Sequence, residues 1–467
     1  MTQTVLLVNP PIYDFAAYDF FNKPLGLLYL AAFLRQNGYE VRLIDALDRN
    51  HPALTNEKLY ENHSVAQPKT KPNGTGKYHS EIIECPACLE HIPRHYRRYG
   101  LPADLLTDLL ESEKKENPPI AVLVTSMMTY WYPAVADTIR LIRQVLSDVP
   151  IGLGGVYARL MPDHAAKVCQ PDKLFTGSNI TAVLKWLDEI AQKKHDYNQL
   201  TDEFVAWPPP VYELYHQLDY LTLITSLGCP FHCDYCASRN LQPQLRQLAP
   251  HQFVEQLTSL LPLLKQKQKR LNAAFMDDAL LARADNHIIP ILKQTANLQL
   301  PLYFHCPNGL HCRFISPEMA ELMYANRFEM IRLSYESADA AGPWQRASDD
   351  KISDQDLVQA VANLEKAGFQ RRNLETYILT GLPGQTMAEI KQSADFVHNL
   401  GVKVRLCQYS PIPGTRLFDV SCRQYGVDLT EPLLHNNTIL PSIDRRVSPA
   451  DFQQFKDHIQ QMNRSLG

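Results

Sequence analysis

Apolar runs and amphipathic segments alternate through the first part of the chain. Buried-strand patterns begin the stretches "TVLLVNPP", "YEVRLIDAL", "PPIAVLVTSMMT", "PIGLGGVYA" and "KLFTGSNITAVLKWLDEIAQ". Segments with helical spacing separate them, such as "PLGLLYLAAFLRQNG" and "YPAVADTIRLIRQVLSDV". Because strands that alternate with helices need crossover connections, they form a parallel sheet. The pattern predicts an α/β domain with a doubly wound parallel sheet over residues 1–204.

A second alternation of strand and helix patterns occupies residues 205–425. Its strand patterns are "YLTLITSLG", "NAAFMDDALL", "LYFHCPNGLHCRFI", "MIRLSYESAD", "NLETYILTGLPGQT" and "KVRLCQYSPIPGT". Six such units predict a partial (β/α)6 barrel, with ligands gathered at the carboxyl ends of the strands. The prolines of "VAWPPPVYELY" mark the linker before it. A small helical tail over residues 426–467 follows, because "SPADFQQFKDHIQQMNRSL" has the pattern of a capped amphipathic helix.

An insertion at about residues 48–118 interrupts the first domain. Its stretch "SVAQPKTKPNGTGKYH" is rich in Pro, Gly, Lys and Thr, which predicts an irregular excursion. The basic stretch "RHYRRY" raises nucleic acid as a target, but the chain carries 46 Lys+Arg against 50 Asp+Glu and has a pI near 6.5. With no overall basic character, we expect no nucleic-acid partner and interpret the insertion as a cap over a substrate cavity.

Three cysteines, Cys229, Cys233 and Cys236, lie close together in "SLGCPFHCDYCASR". The chain start lacks the features of a signal peptide, and no run of about 18 apolar residues predicts a membrane span, so we expect a reducing, cytoplasmic setting. Metal ligation is then the default for clustered thiols. A structural zinc site needs four ligands, and the candidate partners Cys85 and Cys88 are distant in sequence. Three thiols in a short loop favour an iron–sulfur cluster with one open iron.

The stretch "CPFHCDYC" resembles the CxxxCxxC motif of the radical SAM enzymes, including the aromatic Tyr235 before the last cysteine. The resemblance implies a [4Fe-4S] cluster whose open iron is chelated by S-adenosylmethionine (SAM). It also implies that one electron from the cluster cleaves SAM to a deoxyadenosyl radical, and that an external donor such as flavodoxin or ferredoxin supplies the electron.

Further motifs at strand ends resemble the SAM contacts of that family. "SYESAD" resembles a strand whose glutamate contacts the ribose hydroxyls or the methionyl amine, and "TGLPGQT" resembles the GxPGxT turn. "FMDDALL" stands where many members contact the methionyl amine, although the second aspartate could instead cap the next helix. The alternative for the glutamate is a salt-bridged barrel residue. The resemblance implies SAM contacts at Tyr235, Asp277, Asp278, Ser334, Glu336, Gly381, Pro383 and Gly384.

The first domain resembles the cobalamin-binding domain of the cobalamin-dependent branch of radical SAM enzymes. "NPP" and "PLGLLYLAAFLRQNGYEVRLIDA" carry this resemblance, whereas the DxHxxG loop is absent and "TGSN" stands where GEGE is common. The loops "TSMMT" and "GLGGVYA" would frame the corrin ring, and the alternative for their apolar side chains is cover over the sheet. The implied cobalamin contacts are Asn9, Pro10, Ser126, Gly154, Gly155, Gly177 and Ser178.

These features together predict an anaerobic, two-domain radical SAM enzyme that methylates an unactivated carbon with the help of cobalamin. A radical rearrangement or cyclisation without methyl transfer is the alternative among enzymes. An iron–sulfur electron carrier or sensor is the alternative outside them, but such a protein would not need the SAM-contact motifs "YES" and "GLPGQT". The remaining barrel cysteines Cys306, Cys312 and Cys407 have packing as their default role.

Overall fold

The computed structural model describes residues 3–55, 70–197, 200, 203–265, 270–338, 352–426, 428–439 and 447–467. Parts of the predicted insertion (56–69) and of the predicted tail (440–446) lie outside these residues. The chain divides into two compact units: Met1–Asp219 with Pro262–Gln266, and Tyr220–Leu261 with Lys267–Gly467. No helix in the described ranges is both long enough and apolar enough to cross a membrane.

The first unit is built on a parallel sheet, as its alternating pattern predicts. Its strands are β1 (Gln3–Asn9), β2 (Ile12–Asp14), β3 (Tyr39–Asp45), β4 (Ser80–Ile82), β5 (Arg97–Tyr99), β6 (Ala121–Val124), β7 (Ile151–Leu153) and β8 (Lys173–Leu174). Its helices are α1 (Leu25–Gln36), α2 (Ala103–Glu116), α3 (Tyr132–Val145), α4 (Val156–Leu160), α5 (Pro162–Cys169) and α6 (Ile180–Ala191). Five strands pair in the order β3-β1-β6-β7-β8, all parallel. This order is doubly wound.

Helices cover both faces of this sheet. Leu34 of α1 and Leu184 of α6 belong to the apolar core on one face, and Ile139 of α3 belongs to the core on the other. Because both faces are covered, the strands read as continuous apolar runs in the sequence. Their carboxyl ends therefore form the edge at which side chains and loops can contact a ligand.

The predicted irregular insertion contains regular structure, which corrects the sequence interpretation. Strands β4 and β5 pair with β2 in an antiparallel sheet of three strands. Helix α2, which the prediction also placed in the insertion, buries Leu106 and Leu110 in the core beside β1 and β6. Strands β4 and β5 were not predicted because each is only three residues long.

The second unit is the predicted partial barrel. Its strands are β9 (Leu221–Leu223), β10 (Ser226–Leu227), β11 (Arg246–Gln247), β12 (Leu271–Phe275), β13 (Leu302–His311), β14 (Phe328–Glu336), β15 (Glu375–Thr380) and β16 (Lys403–Gln408). Its helices are α7 (Ser238–Leu241), α8 (Pro250–Lys265), α9 (Ile288–Asn297), α10 (Pro317–Ala325), α11 (Asp354–Ala367), α12 (Met387–Asn399), α13 (Arg416–Tyr425) and α14 (Pro449–Ser465). Six strands pair in parallel in the order β9-β12-β13-β14-β15-β16, with β9 and β16 at its two ends.

Alternating residues of the barrel strands face the helices and the barrel interior. On β14, Leu333 and Tyr335 are fully buried, and the ring of Tyr335 stacks on Phe396 of α12 at 5.6 Å. The residues between them, Ser334 and Glu336, point to the other face of the sheet. On the last three strands, the interior of the barrel is thus lined by the less buried and mostly polar residues.

The tail helix α14 covers the outer edge of the last strand. Asn463 donates from Nδ2 to the carbonyl of Val404 at 2.9 Å, and its Oδ1 accepts from the Val404 amide at 2.8 Å. The side-chain amide therefore pairs with β16 in the way that a neighbouring strand would.

Candidate functional site

The three clustered cysteines lie in a loop between β10 and α7. Gly228 begins this loop with a φ of +86°, and a side chain there would bring Cβ within 2.4 Å of the Gln244 carbonyl, so the turn requires glycine. Cys229 and Cys233 are half-buried and Cys236 is exposed. All three line one cavity of about 270 Å³, together with Phe231, His232, Asp234, Ser238, Arg239, Asn240, Gly414, Thr415 and Arg416.

The cluster loop is held by the segment that follows the sixth barrel strand. Asn240 donates to the Gly414 carbonyl at 2.8 Å, and the Leu417 amide donates to the Asp234 carbonyl at 3.0 Å. The Asp234 carboxylate also pairs with Arg416 at 2.9 Å. These contacts fix the loop across the end of the barrel, so the cysteines have a defined position relative to the strand ends.

The environment of Cys233 disfavours a free thiolate. Burial, the charge of Glu336 and the other two thiols raise the pKa of Cys233 to about 12, because burial disfavours any charged form and the neighbouring groups repel a negative charge. The described side chains include no group of three or more His, Cys, Asp or Glu positioned to hold one metal ion. In a cubane cluster each cysteine binds a different iron, so its thiols need not converge on one point.

Tyr235 connects the cluster loop to the fourth barrel strand. Its hydroxyl donates a hydrogen bond to Glu336 Oε1, and its ring packs in an apolar cluster with Leu382 and Tyr409. Glu336 ends β14 with a φ of +71°, which is uncommon for a residue with a side chain. The sequence analysis predicted both residues as SAM contacts, and the structure brings their side chains together.

The predicted glycine turn follows the fifth barrel strand. Gly381 and Gly384 have φ values of +80° and +89°, so both positions favour glycine, and Pro383 between them is buried. Gln385 is 4% exposed and fixes the turn, since its Nε2 donates to the Leu379 carbonyl at 3.0 Å. Sequence reasoning missed this glutamine because its role depends on the folded turn.

Asp277 is buried beneath the start of the cluster loop. Its Oδ1 accepts hydrogen bonds from the Thr225 amide at 2.9 Å, the Thr225 hydroxyl at 2.7 Å and the Ser226 hydroxyl at 2.6 Å. Burial raises its pKa to about 6, although these donors act in the opposite direction. The carboxylate thus holds the end of the first barrel strand, and its predicted contact with SAM stays a prediction.

The two other predicted polar contacts occupy different settings. Asp278 is exposed and forms a hydrogen bond with Ser238, the first residue of α7. It does not cap the next helix, α9, whose N-cap residue is His287. Ser334 lies against Gly309, where an added Cβ would come within 1.9 Å of the serine Oγ, so the glycine makes room for this hydroxyl.

A charged group on the inner face of β14, β15 and β16 was not predicted. Arg332 Nε donates to Glu375 Oε2 at 2.7 Å, and Arg405 donates to the other oxygen of the same carboxylate. Arg332 also donates to the Tyr377 hydroxyl, which in turn donates to the Pro307 carbonyl at 2.9 Å. The only signal in the sequence is a charged residue at an inward position of three successive strands.

In the first unit, the predicted cobalamin contacts Asn9 and Pro10, at the end of β1, are buried by internal packing. Asn9 donates to Asp45 Oδ1 at 2.7 Å, and the Tyr215 hydroxyl donates to Asp45 Oδ2 at 2.6 Å. Burial raises the pKa of Asp45, which makes these hydrogen bonds important for keeping its charge. Pro10 is buried, and the cavity beside Asn9 and Pro10 is only about 20 Å³.

The predicted contacts after β6 and β7 hold their two loops together. Ser126 Oγ donates to the Gly154 carbonyl at 2.7 Å and accepts from the Ala158 amide at 3.3 Å. Gly155 has a φ of +96°, and a Cβ there would meet the Ser126 carbonyl at 2.2 Å. At Gly154, by contrast, such a Cβ would only come into ordinary contact with Phe175 at 3.7 Å, and the residue is half-buried.

The remaining predicted contacts of the first unit are open to solvent. Gly177 and Ser178 are exposed beyond β8, and Met128, in the loop after β6, is 43% exposed. Gly177 also borders a cavity of about 380 Å³ whose lining includes Phe175 and Trp186. The accessible groups at this edge are therefore the backbone of Gly177, the hydroxyl of Ser178 and the apolar side chain of Met128.

Comparison with known proteins adds independent evidence. Residues 223–397 match the model of the Radical SAM superfamily. Cytidylyl-2-hydroxyethylphosphonate methyltransferase from Streptomyces wedmorensis is 21% identical over 510 residues, which cover 92% of this chain and 84% of the relative.

Two solved radical enzymes share the fold. TsrM from Kitasatospora setae, a radical SAM methyltransferase solved with tryptophan and a SAM analogue, has a TM-score of 0.63 at 15% identity, over 91% of this chain and 77% of TsrM. OxsB, a cobalamin-dependent SAM radical enzyme, has a TM-score of 0.62 at 13% identity, over 100% of this chain and 72% of OxsB.

The class of protein follows from two observations: a partial barrel with a three-cysteine loop at its end, and the match of residues 223–397 to the radical SAM model. Residues 223–397, which form most of the barrel, carry the radical SAM domain, and the enzymes of that superfamily use a [4Fe-4S] cluster and SAM. The chain is similar to a methyltransferase over 92% of its length, and it shares the fold of solved radical enzymes that are cobalamin-dependent or were solved with cobalamin bound.

Proposed function

We propose that the protein binds a [4Fe-4S] cluster through Cys229, Cys233 and Cys236, cleaves SAM reductively, and uses cobalamin to methylate an unactivated carbon. The observation that carries the proposal is the single cavity lined by all three thiols at the end of a radical SAM barrel. An external electron donor such as flavodoxin or ferredoxin is the expected partner, together with a substrate of its own.

The chain would hold SAM at the carboxyl ends of the fourth and fifth barrel strands. Tyr235 places Glu336 beside the cluster loop, so this carboxylate can accept hydrogen bonds from the methionyl amine or the ribose hydroxyls. The turn at Gly381 and Gly384 offers backbone that a ligand can approach closely. Asp277 keeps the start of the cluster loop in place through Thr225.

The accessible edge of the first unit fits a cobalamin held without a side-chain ligand to cobalt. Gly154, Gly177 and Ser178 would contact it through backbone and hydroxyl groups, and Met128 would cover an apolar surface. The loops 9–11, 125–129, 152–158 and 176–179 contain no histidine. Asn9 and Ser126 support these loops from within.

When bound, the cluster supplies the electron for SAM cleavage and the corrin supplies a metal that can carry a methyl group. The chain's own residues position these groups, exclude water and orient the substrate. The 21% identity to a methyltransferase supports methyl transfer as the reaction.

The cluster assignment is tested by changing Cys229, Cys233 and Cys236 together to Ala. We expect loss of about four irons per chain and of SAM cleavage after anaerobic reconstitution. The matched control changes Cys85 and Cys88 to Ala, which should leave iron content and cleavage unchanged. Full iron content in the triple variant would assign the cluster to other cysteines.

The cobalamin assignment is tested by reconstitution with hydroxocobalamin followed by gel filtration. We expect about one cobalt per chain, with a spectrum that lacks imidazole ligation. The variant Gly177→Trp should reduce cobalt retention while iron content stays unchanged. If cobalamin does not bind although SAM is cleaved, methyl transfer is excluded and a cobalamin-free radical reaction takes its place.

A further inference from the structure

The charged group on the inner face of the barrel lies below the SAM-contact motifs. Arg332 pairs with Glu375, and Glu375 lies opposite Arg332 and Lys403 in the register of the sheet. Tyr377 lies opposite Arg405, two residues nearer the carboxyl ends. At about 3.3 Å per residue, Tyr377 is about 13 Å before Gly381 along β15.

The group carries an excess of positive charge. The two guanidinium groups share the one carboxylate of Glu375, which leaves one net positive charge in the trio. Lys403 is on the same face of β16 as Arg405, because alternate residues share a face. Burial alone would raise the pKa of Glu375, but hydrogen bonds and charge from Arg405 and Arg332 lower it, so the carboxylate is ionised.

The members of the group differ in how far a ligand can reach them. The side chains of Arg332 and Glu375 are 14% and 16% exposed, whereas that of Arg405 is 46% exposed. Glu375 binds one side of the Arg405 fork and so fixes its orientation. The N–H groups of Arg405 that do not bind Glu375 then match the two oxygens of a carboxylate or phosphoryl group.

We propose that Arg405, oriented by Glu375 and Arg332, binds an oxyanionic group of the substrate, a carboxylate or a phosphoryl group, inside the barrel. A substrate held there by its acidic end extends toward the carboxyl ends of the strands, where Glu336 and Gly381 lie. Cys407, exposed and two residues beyond Arg405, would contact its middle. This inference rests on the proposed function, since it assigns the substrate class for the same barrel.

The test uses inorganic phosphate and acetate as probes of the full, reconstituted chain, by titration calorimetry at low ionic strength. We expect Arg405→Gln to weaken binding of the preferred anion at least tenfold, through loss of a charge-assisted hydrogen bond. The matched control is Arg313→Gln, which removes a similarly exposed arginine, paired with Asp356, from outside the group. It should change the affinity less than twofold.

Glu375→Gln separates anion binding from a purely structural role. The glutamine oxygen can still accept a hydrogen bond from Arg405 and so keep its orientation, while the competing negative charge is removed. Anion binding should therefore strengthen several-fold, whereas a group that only holds the strands together would show no gain. Preference for phosphate would indicate a phosphoryl substrate, and preference for acetate a carboxylate substrate. Equal affinities of wild type and Arg405→Gln, with both proteins folded by circular dichroism, would overturn the inference.

The same preparations separate this inference from the proposed function. SAM cleavage by the wild type, measured without any substrate, tests the radical chemistry alone. Cleavage without anion binding contradicts only the oxyanion site. Anion binding that depends on Arg405, without any cleavage, contradicts only the radical reaction.

Discussion

At the scale of single residues, one hydrogen bond joins two motifs that are distant in sequence. Tyr235 follows two of the clustered cysteines, and Glu336 ends the fourth barrel strand in a left-handed conformation. A residue with a side chain is strained in this left-handed backbone conformation, so the orientation of the Glu336 carboxylate depends on contacts with its neighbours. The Tyr235 hydroxyl is one of these neighbours, so it belongs to the proposed SAM site as a positioning group.

We predict that Tyr235→Phe weakens SAM binding by about ten- to hundredfold, because a hydrogen bond to a charged group contributes about 1.5–3 kcal/mol. The ring would keep its packing against Leu382 and Tyr409, so iron content should not change. Calorimetric titration with SAM and iron analysis of the reconstituted variant check both statements. Unchanged SAM affinity would show that Glu336 does not depend on Tyr235.

A second residue-scale consequence concerns two buried histidines of the barrel. His305 is 1% exposed, and burial together with the charge of Arg270 lowers its pKa to about 3. His287 is 2% exposed, and burial lowers its pKa to about 4. Both imidazoles are therefore neutral in the folded protein at pH values where the unfolded chain binds a proton.

We predict that His305→Gln reduces the acid sensitivity of folding. Between the unfolded pKa of about 6.5 and the folded pKa, only the unfolded chain is protonated at His305, so stability falls as the pH falls. From pH 6.5 to 5, the wild type should lose about 2 kcal/mol more free energy of unfolding than the variant, at about 1.4 kcal/mol per pH unit. Urea denaturation at the two pH values measures the difference, and parallel pH dependence would contradict it.

At the scale of elements, the sequence predicted the parts of the fold that depend on local pattern. Strand and helix periodicity located both parallel sheets, and the spacing of the three cysteines located the cluster loop. The inner-face group of Arg332, Glu375 and Arg405 was missed because it exists only once three strands are in register. The role of Gln385 was missed for a similar reason, since its partners are backbone groups of the folded turn.

The contact between Asn463 of α14 and Val404 of β16 can be tested by substitution. We expect Asn463→Ala to destabilise the protein by about 1–3 kcal/mol, because it leaves the amide and carbonyl of Val404 without this partner. The amide of Val404 should also exchange its hydrogen faster. Thermal unfolding and hydrogen exchange measure these effects, with the exposed Gln460→Ala on the same helix as the control. Equal unfolding temperatures for the two variants would contradict the prediction.

At the scale of the whole molecule, charge bears on the choice of partner. The formal net charge is −4, so no long-range field favours a polyanion. The excess positive charge of the barrel interior is local and suits a small acidic substrate.

We therefore predict that the protein does not bind transfer RNA in a salt-sensitive manner. Binding through phosphates would lose about 10³–10⁵ in affinity between 50 and 200 mM salt, because each neutralised phosphate releases a counterion. A filter-binding titration over that range, with a tRNA-binding protein as the positive control, measures it. A steep loss of affinity with salt would instead place nucleic acid among the partners.

The six-stranded sheet is open between its first and last strands, β9 and β16, and this affects what its interior can contain. An eight-stranded barrel closes on itself, and its interior is filled by branched apolar side chains, which leaves no room for a guest. Among the described strands, β9 and β16 do not pair with each other, and the polar side chain of Arg405 is 46% exposed. With two strands fewer than a closed barrel, the sheet leaves a gap between its first and last strands, and the width of that gap would limit the size of a guest.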